Sequence, residues 1–570
     1  MLAGVGSGTV GGRDDVSGAP EEGAAPVAGP ELAGGGPATE LVVAELGEVV
    51  VAPGDDWTMP EWARPAPDSG FFSTTPDPES GVDVRAVDVT WAQVAPEDDA
   101  PLDLERLGSA QGMRLEPLGD QLAEPGPYWL RLFATGVDWA PRWVIDDCGV
   151  APVGRDDHGQ GHLPIWDPCV WDALRDTWRR LLVDAGILAD PDFRFAYVPG
   201  GFTWVEFNLD VVGQAADGGV VDESAFLSWF DEMLHDFAAI AGDRVGRLVY
   251  TGEDYPRGPF GHADDLLAAA AVSAGLGVRT GITEVSNFHL SETPAYGSSI
   301  RPDGHLTSRP PPPVGSAGRV LATENECFQA CGFEAVDPDY AVVASNLKAL
   351  QLRMNWVYVE TAQSRFRELP EHWDWVRLSL GRRPVDSPDA WAALREAEDT
   401  FWADPDTPGP FGPGGRAWAG RPFVRNLERF LVQRDVAPRA VPVRSAADVH
   451  VDELTSANGT AYEGLRTDLA RGSDSLAFDL DDTFAADAFD ALVKVTYLDR
   501  GAGGFRVRTA DARSPVVGRE DSGEWRTATL RVPALAADGA MRGGTDLWLT
   551  VRGEDLDVRF VRVVRRHAPR

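Results

Sequence analysis

"RVLATENE", residues 319–326, is a short apolar run, Val320 to Ala322, that stops abruptly on two carboxylates, Glu324 and Glu326. A strand ending on acids asks for a reason, and the stretches on either side supply one. Immediately before it stands "RPPPPVGSAG" (309–318), which must be a loop, because proline neither donates to a ladder nor fits inside a helix. Further back come the β-rich runs "SGFF" (69–72), "DVRAVDVTW" (83–91), "YWLRLFA" (128–134), "FRFAYV" (193–198), "GRLVYTG" (246–252) and "GVRTGITE" (277–284), and beyond it comes "NWVYVE" (355–360). Between several of them lie helical patterns such as "WDALRDTWRRLLVDAG" (171–186), "AFLSWFDEMLHDFAAIAG" (225–242) and "DYAVVASNLKALQLR" (339–353), whose apolar residues recur at three and four positions. Eight strands with helical crossovers are the count of a (β/α)8 TIM barrel with long loops.

After about residue 440 the pattern changes. "ALVKVTYLDRGAGGFRVRTA" (491–510), "EWRTATLRVPAL" (524–535), "TDLWLTVRG" (545–553) and "LDVRFVRVVRR" (556–566) alternate apolar and polar residues between Gly-rich turns. They read as an antiparallel β-sandwich domain. The division expected is therefore a disordered or linker segment over 1–60, a barrel catalytic domain over 61–438 and the sandwich over 439–570. The first 55 or so residues hold few large apolar groups and cannot offset their ordering entropy. "MLAGVGSGTVGG" (1–12) resembles the small-residue tail of an export signal, so an extracellular or cell-surface location is expected.

A chain of 570 residues exceeds what one hydrophobic core usually organises. Its net charge of −39 argues against nucleic acid, whose phosphates it would repel, and no apolar run approaches the roughly 20 residues of a membrane span. All but two of its 51 basic residues, Lys348 and Lys494, are arginine, which fits a high-salt surface or codon bias alike. Cys327 and Cys331 stand four apart with no nearby histidine or second cysteine pair to complete a metal site, and the four cysteines, with Cys148 and Cys169, read as buried thiols or as one to two structural bridges.

In a barrel of this kind functional groups occupy the C-terminal ends of the strands. Acids collect there: Glu206 after the fourth strand, Glu253 and Asp254 after the fifth, Glu284 after the sixth, Glu324 and Glu326 on the seventh, and Glu360 on the eighth. Aromatic residues accompany them, namely Trp91, Trp139, Trp143, Trp166, Trp204, Trp356 and Tyr358. The C–H face of a sugar ring packs on an indole, so tryptophans beside carboxylates suit a carbohydrate cleft; helix-to-barrel packing is the competing use of the same rings. Glycosidic cleavage needs two carboxylates, one protonating the leaving oxygen and one attacking or stabilising the oxocarbenium-like centre, and no cofactor. Trp91, Trp139, Trp143, Trp204, Glu253, Glu284, Asn287, Trp356, Tyr358 and Glu360 are the candidate substrate contacts. His158, His162, His262 and His289 lack metal-site spacing and read as loop histidines.

An acid after strand four paired with an acid after strand seven resembles the clan of retaining glycoside hydrolases built on (β/α)8 barrels. "WAQVAP" (91–96) and "APRW" (140–143) resemble motifs of its β-galactosidase-like branch, over roughly residues 68–435. The resemblance implies Glu206 as general acid/base and Glu324 as nucleophile, with Glu326, two residues on and facing the same way, as the alternate. The chain departs from that pattern at Val205, where the branch carries Asn, and at Ala95, where it carries Glu. The terminal sandwich resembles the modules appended to polysaccharide-degrading enzymes, either binding sugar through Tyr497 or Trp525 or buttressing the barrel. The expected function is hydrolysis of a polysaccharide or oligosaccharide; the departures motivate, as alternatives, a non-catalytic carbohydrate-binding surface protein and, more remotely, a polysaccharide lyase.

Overall fold

The structure, a computed structural model, describes residues 44–45, 49–156, 158–198, 205–207, 209–252, 263–280, 294–301, 303–311, 314, 318–325, 338–360, 364–395, 425–436, 438, 440–443 and 464–569. Eight strands close into a barrel: β1 (Gly70–Ser73), β2 (Val84–Thr90), β3 (Tyr128–Phe133), β4 (Phe193–Tyr197), β5 (Leu248–Gly252), β6 (Gly277–Thr280), β7 (Leu321–Asn325) and β8 (Trp356–Val359). Each pairs in parallel with its neighbours in sequence, and β8 pairs with β1 to complete the ring. These are the eight runs read from the sequence.

Side-chain alternation sorts every strand into two faces. Phe71, Val87, Val89, Leu130, Leu132, Leu248, Val278, Leu321 and Val357 join the large cluster beneath the helices. Phe72, Val84, Trp129, Phe133, Phe195, Tyr197, Val249, Ala322 and Trp356 form a second cluster inside the ring. The barrel interior is thus packed with side chains rather than open, as its eight-strand circumference requires.

The crossovers are less regular than the strands. Helices Pro168–Arg179, Glu223–Ala241, Ala263–Ser273 and Pro338–Gln351 fill four of the connections, and Pro370–Ser379 follows β8. Asp167 and Asp222 start the first two by accepting backbone N–H bonds of Cys169 and Ala225 at 2.9 and 2.8 Å. Between β6 and β7 the described residues hold a hairpin, Ser298–Ile300 with Leu306–Ser308, in place of a helix. A disulfide joins Cys148 to Cys169, clamping the end of the short helix Arg142–Cys148 to the start of helix Pro168–Arg179 across a separation of 21 residues. Cys327 and Cys331 lie outside the described residues. A loop of that length is expected to be worth about 3 kcal/mol, so Cys148→Ser/Cys169→Ser should lower stability by that amount in urea unfolding.

Most of the remaining strands form two facing, mainly antiparallel sheets. One runs through Leu431–Arg434, Ser475–Leu480, Leu547–Gly553 and Gly503–Arg508. The other runs through Leu427–Arg429, Asp389–Ala393, Asp557–Arg565, Phe489–Leu498, Trp525–Leu535 and Val49–Pro53. Their inner faces share one core containing Val493, Val495, Tyr497, Leu549 and Val561. The fold class is therefore a TIM barrel followed by a β-sandwich.

Two expected boundaries shift. Asp389–Ala393, Leu427–Arg429 and Leu431–Arg434 lie before residue 438 yet pair within the sandwich sheets. Val49–Pro53 lies within the segment expected to be linker yet pairs antiparallel with Trp525–Leu535. The compositional argument fails for this strand because its valines need only one edge to pair with, and the sandwich provides it. Tyr497 is buried in the sandwich core, which removes it as a sugar contact; Trp525 is half-buried beneath Arg559, whose guanidinium stands 4.4 Å from the ring centroid.

Behind β7 runs a buried polar chain. Asn325 donates to Asn346 at 2.5 Å, and Asn346 Nδ2 lies 3.0 Å from His372 Nε2. Burial, with Arg562 adding to it, pushes the His372 imidazole down to about 3. The unfolded chain takes up a proton near pH 6.5 and the folded chain does not until about pH 3, so stability is full above 6.5 and falls as pH drops through that window. At about 1.4 kcal/mol per pH unit, the parent should lose several kcal/mol between pH 7 and 4 relative to His372→Gln, measured as the difference between their urea midpoints.

Candidate active site

At the C-terminal end of the barrel the inward positions change from apolar to charged. Asp88 on β2, Arg131 on β3, Arg279 on β6 and Glu324 on β7 occupy the level just above the apolar layers, beside Tyr197 on β4 and Tyr358 on β8. A charge buried inside a ring of strands is costly unless it is paired, and these are paired. Arg131, 4% exposed, donates to both oxygens of Asp88 at 2.8 and 2.7 Å. Arg279, 3% exposed, donates through Nη2 to Glu206 Oε1 at 2.6 Å, and the same nitrogen pairs with Glu324 Oε1.

Glu206 reaches this point by way of a constrained backbone. Val205 has φ of 66°, in the left-handed region that a β-branched residue rarely enters, and it is buried. Two bonds hold it: Thr251 Oγ1 donates to the Val205 carbonyl at 2.9 Å, and the Phe207 N–H donates to the Thr251 carbonyl at 2.9 Å. Residues 205–207 are thereby fixed onto the end of β5. Backbone strain maintained by surrounding bonds is a feature of functional sites. Asn tolerates this conformation better than Val, so the departure at Val205 costs conformational energy while leaving the acid aimed inward.

The other sequence candidates separate into three groups. Trp356 and Tyr358 lie inside the ring, Trp356 against Phe195 at 5.6 Å between centroids and Tyr358 with its hydroxyl 3.1 Å from Thr74 Oγ1. Glu360 accepts from Thr75 Oγ1 at 2.9 Å on the same rim. Trp139, in the loop after β3, is buried between Phe133 and His162.

Trp91 and Trp143 belong elsewhere. Trp91 is fully buried on the outer face of the barrel and donates to Thr177 Oγ1 at 2.9 Å, while Trp143 donates to the Ala95 carbonyl at 3.0 Å and meets Trp91 edge-on. Both rings pack helix against barrel, so they are corrected from substrate contacts to structural ones. Trp166 packs likewise, on Phe226. Trp204, Glu253, Asp254, Glu284, Asn287, Glu326, His262 and His289 lie outside the described residues. His162 is fully buried; its Nδ1 faces Thr135 Oγ1 and its Nε2 faces Asp156 Oδ2, each at 2.9 Å, a bracing contact of the β3 loop.

Sequence reasoning passed over Asp88, Arg131, Tyr197 and Arg279. The signal was present in "DVRAVDVTW", "YWLRLFA" and "GVRTGITE", where a charged residue interrupts an apolar strand at the parity of its inward positions.

No family model matches the chain, and no curated protein does. Among solved structures it is similar to the type I pullulanase of Bacillus subtilis str. 168 complexed with maltose, at 11% identity and a TM-score of 0.30, over 86% of this chain and 74% of that one. It is also similar to a cycloisomaltooligosaccharide glucanotransferase of Paenibacillus sp. complexed with cycloisomaltoheptaose, at 8% identity and a TM-score of 0.24, over 86% of this chain and 56% of that one.

Proposed function

We propose that this protein is a glycoside hydrolase that cleaves a polysaccharide or oligosaccharide with retention of configuration. Glu206 is the general acid/base and Glu324 the nucleophile; Glu326 remains the alternate nucleophile. The observation that carries the reading is the convergence of Glu206 and Glu324 on one nitrogen of Arg279 at the mouth of the barrel.

Two carboxylates bonded to the same donor stand no more than two hydrogen-bond lengths apart, under about 6 Å. That spacing favours attack by a carboxylate, which needs about 5–5.5 Å, over the water-mediated inverting route, which needs about 6.5–9.5 Å. In the first step Glu206 gives its proton to the departing glycosidic oxygen while a Glu324 oxygen bonds to the anomeric carbon. In the second, water attacks that carbon as Glu206 takes a proton from the water, and the bond to Glu324 breaks. Among the described residues this layer sets the carboxyls of Asp88, Glu206 and Glu324 against the guanidiniums of Arg131 and Arg279. The Cys148–Cys169 bridge supports an extracellular location.

Arg279 also gives the competing reading its footing, since both carboxylates are charge-paired to it. A barrel that binds sugar without turnover would keep that link permanently. The test is hydrolysis of a panel of aryl glycosides and oligosaccharides with the anomer of the first product read by NMR. Retained product supports the enzyme; sugar binding with no cleavage of any member supports the binder.

A further inference from the structure

Tyr197 is the last residue of β4 and points into the ring, 2% exposed. Its ring lies 4.6 Å from that of Trp129, and the Arg279 guanidinium carbon stands 5.6 Å from its centroid. Arg279, Glu206, Arg131 and Tyr358 are all close enough to act on it electrostatically, which places it among the paired charges of the barrel mouth. Among the described residues its hydroxyl oxygen has no hydrogen-bond partner, although it is buried. A buried hydroxyl is normally satisfied, and one left open between two ion pairs at the floor of a site is explained by a partner that comes from outside the chain.

We propose that Tyr197 is a substrate-binding residue whose hydroxyl donates a hydrogen bond to a sugar hydroxyl seated over the Arg131 and Arg279 pairs, a role that rests on the glycosidase reading above. Burial pushes the phenol up from its usual range, so it keeps its proton at any working pH and serves as a donor. The neighbouring guanidiniums have only donors to offer; a phenol that also donates turns a sugar hydroxyl so that its own hydrogen faces the carboxylates. Sites that hydrogen-bond a substrate hydroxyl reject analogues lacking it far more strongly than apolar pockets reject a missing methylene.

The experiment compares the full-length parent with Tyr197→Phe on aryl glycosides of glucose, galactose and mannose and on their monodeoxy forms. The variant should lose roughly 10- to 100-fold in kcat/KM on the best substrate with no fall in Tm, because the deleted hydroxyl has no partner among the described residues. Deoxygenating the recognised position should cost the parent a similar factor and the variant less than about threefold. Parental kcat/KM in the variant, or a loss accompanied by a lowered Tm, overturns the proposal. Should the parent hydrolyse nothing, the glycosidase reading fails, and Tyr197 is then judged by sugar affinity: a tenfold weaker Kd in the variant upholds its role, and unchanged or absent binding overturns it.

Discussion

Glu324→Gln is expected to abolish hydrolysis, with a loss of roughly 10⁴-fold or more in kcat, while folding and sugar affinity stay near parental. Glutamine keeps an oxygen that Arg279 can bond, so the variant does not strand the guanidinium, whose other partner, Glu206, remains in place. On the proposed mechanism, what it removes is the attacking oxygen. Glu206→Ala should behave differently on the same aryl glycosides. A good leaving group departs without a proton, so the first step survives; the second loses its general base and slows by about 10²- to 10⁴-fold. Added azide then separates the two roles by stereochemistry. In Glu206→Ala it attacks the glycosyl-enzyme and gives a glycosyl azide of retained configuration. In Glu324→Ala it takes the place of the carboxylate, bonding to the anomeric carbon as the aglycone leaves, and gives the inverted azide. Identical azide anomers from both variants, or near-parental hydrolysis by Glu324→Gln, would sink the assignment, and full activity in Glu324→Gln would transfer the nucleophile's role to Glu326.

The barrel was legible because its evidence is local: a strand announces itself by a short apolar run, and the acids at strand ends stand next to those runs. Glu206 and Glu324 could be placed among the candidate acids on that basis, and it was the resemblance to the (β/α)8 glycoside hydrolases that paired them. Arg279 could not, because its importance is a property of the pairing between β6, β7 and the segment after β4, three places separated by tens of residues. A lone arginine inside "GVRTG" reads as noise until the ring closes and two carboxylates meet it. Trp91 and Trp143 erred in the opposite direction. An indole near a strand end looks the same in sequence whether it faces the mouth or the helices, and their bonds to Thr177 and Ala95 decide for the helices. The domain boundaries failed for a further reason. Val49–Pro53 and Asp389–Ala393 join the sandwich through partners far along the chain, and nothing in five residues of sequence says which sheet will claim them.

Asp389→Ala is expected to lower stability by about 3–5 kcal/mol, at least as much as loss of the disulfide. Asp389 opens a sandwich strand and is fully buried; Arg562, on the adjacent strand, is 1% exposed. Arg562 donates to the Asp389 Oδ2 through Nε at 3.0 Å and Nη2 at 2.8 Å, and Trp375, on the helix after β8, donates its indole N–H to the same oxygen at 2.8 Å. Arg562 also donates to the Asp56 carbonyl at 2.5 Å, and the Trp57 ring packs on Trp375 and Phe560. One carboxylate therefore ties the last barrel helix to the sandwich and holds the charge that secures the 54–59 segment. Removing it leaves a guanidinium buried with only neutral acceptors and an indole N–H facing a void, two penalties that add because both groups lose water without recovering a partner. If the pair matters as a compensated charge rather than for packing, Asp389→Leu with Arg562→Met should recover most of the loss, since an apolar pair carries no desolvation penalty. Urea unfolding of the three proteins decides it: a cost below about 1 kcal/mol for Asp389→Ala would mean that the junction is held by the aromatic contacts alone, and a double variant no better than the single one would mean that the site needs the charge itself.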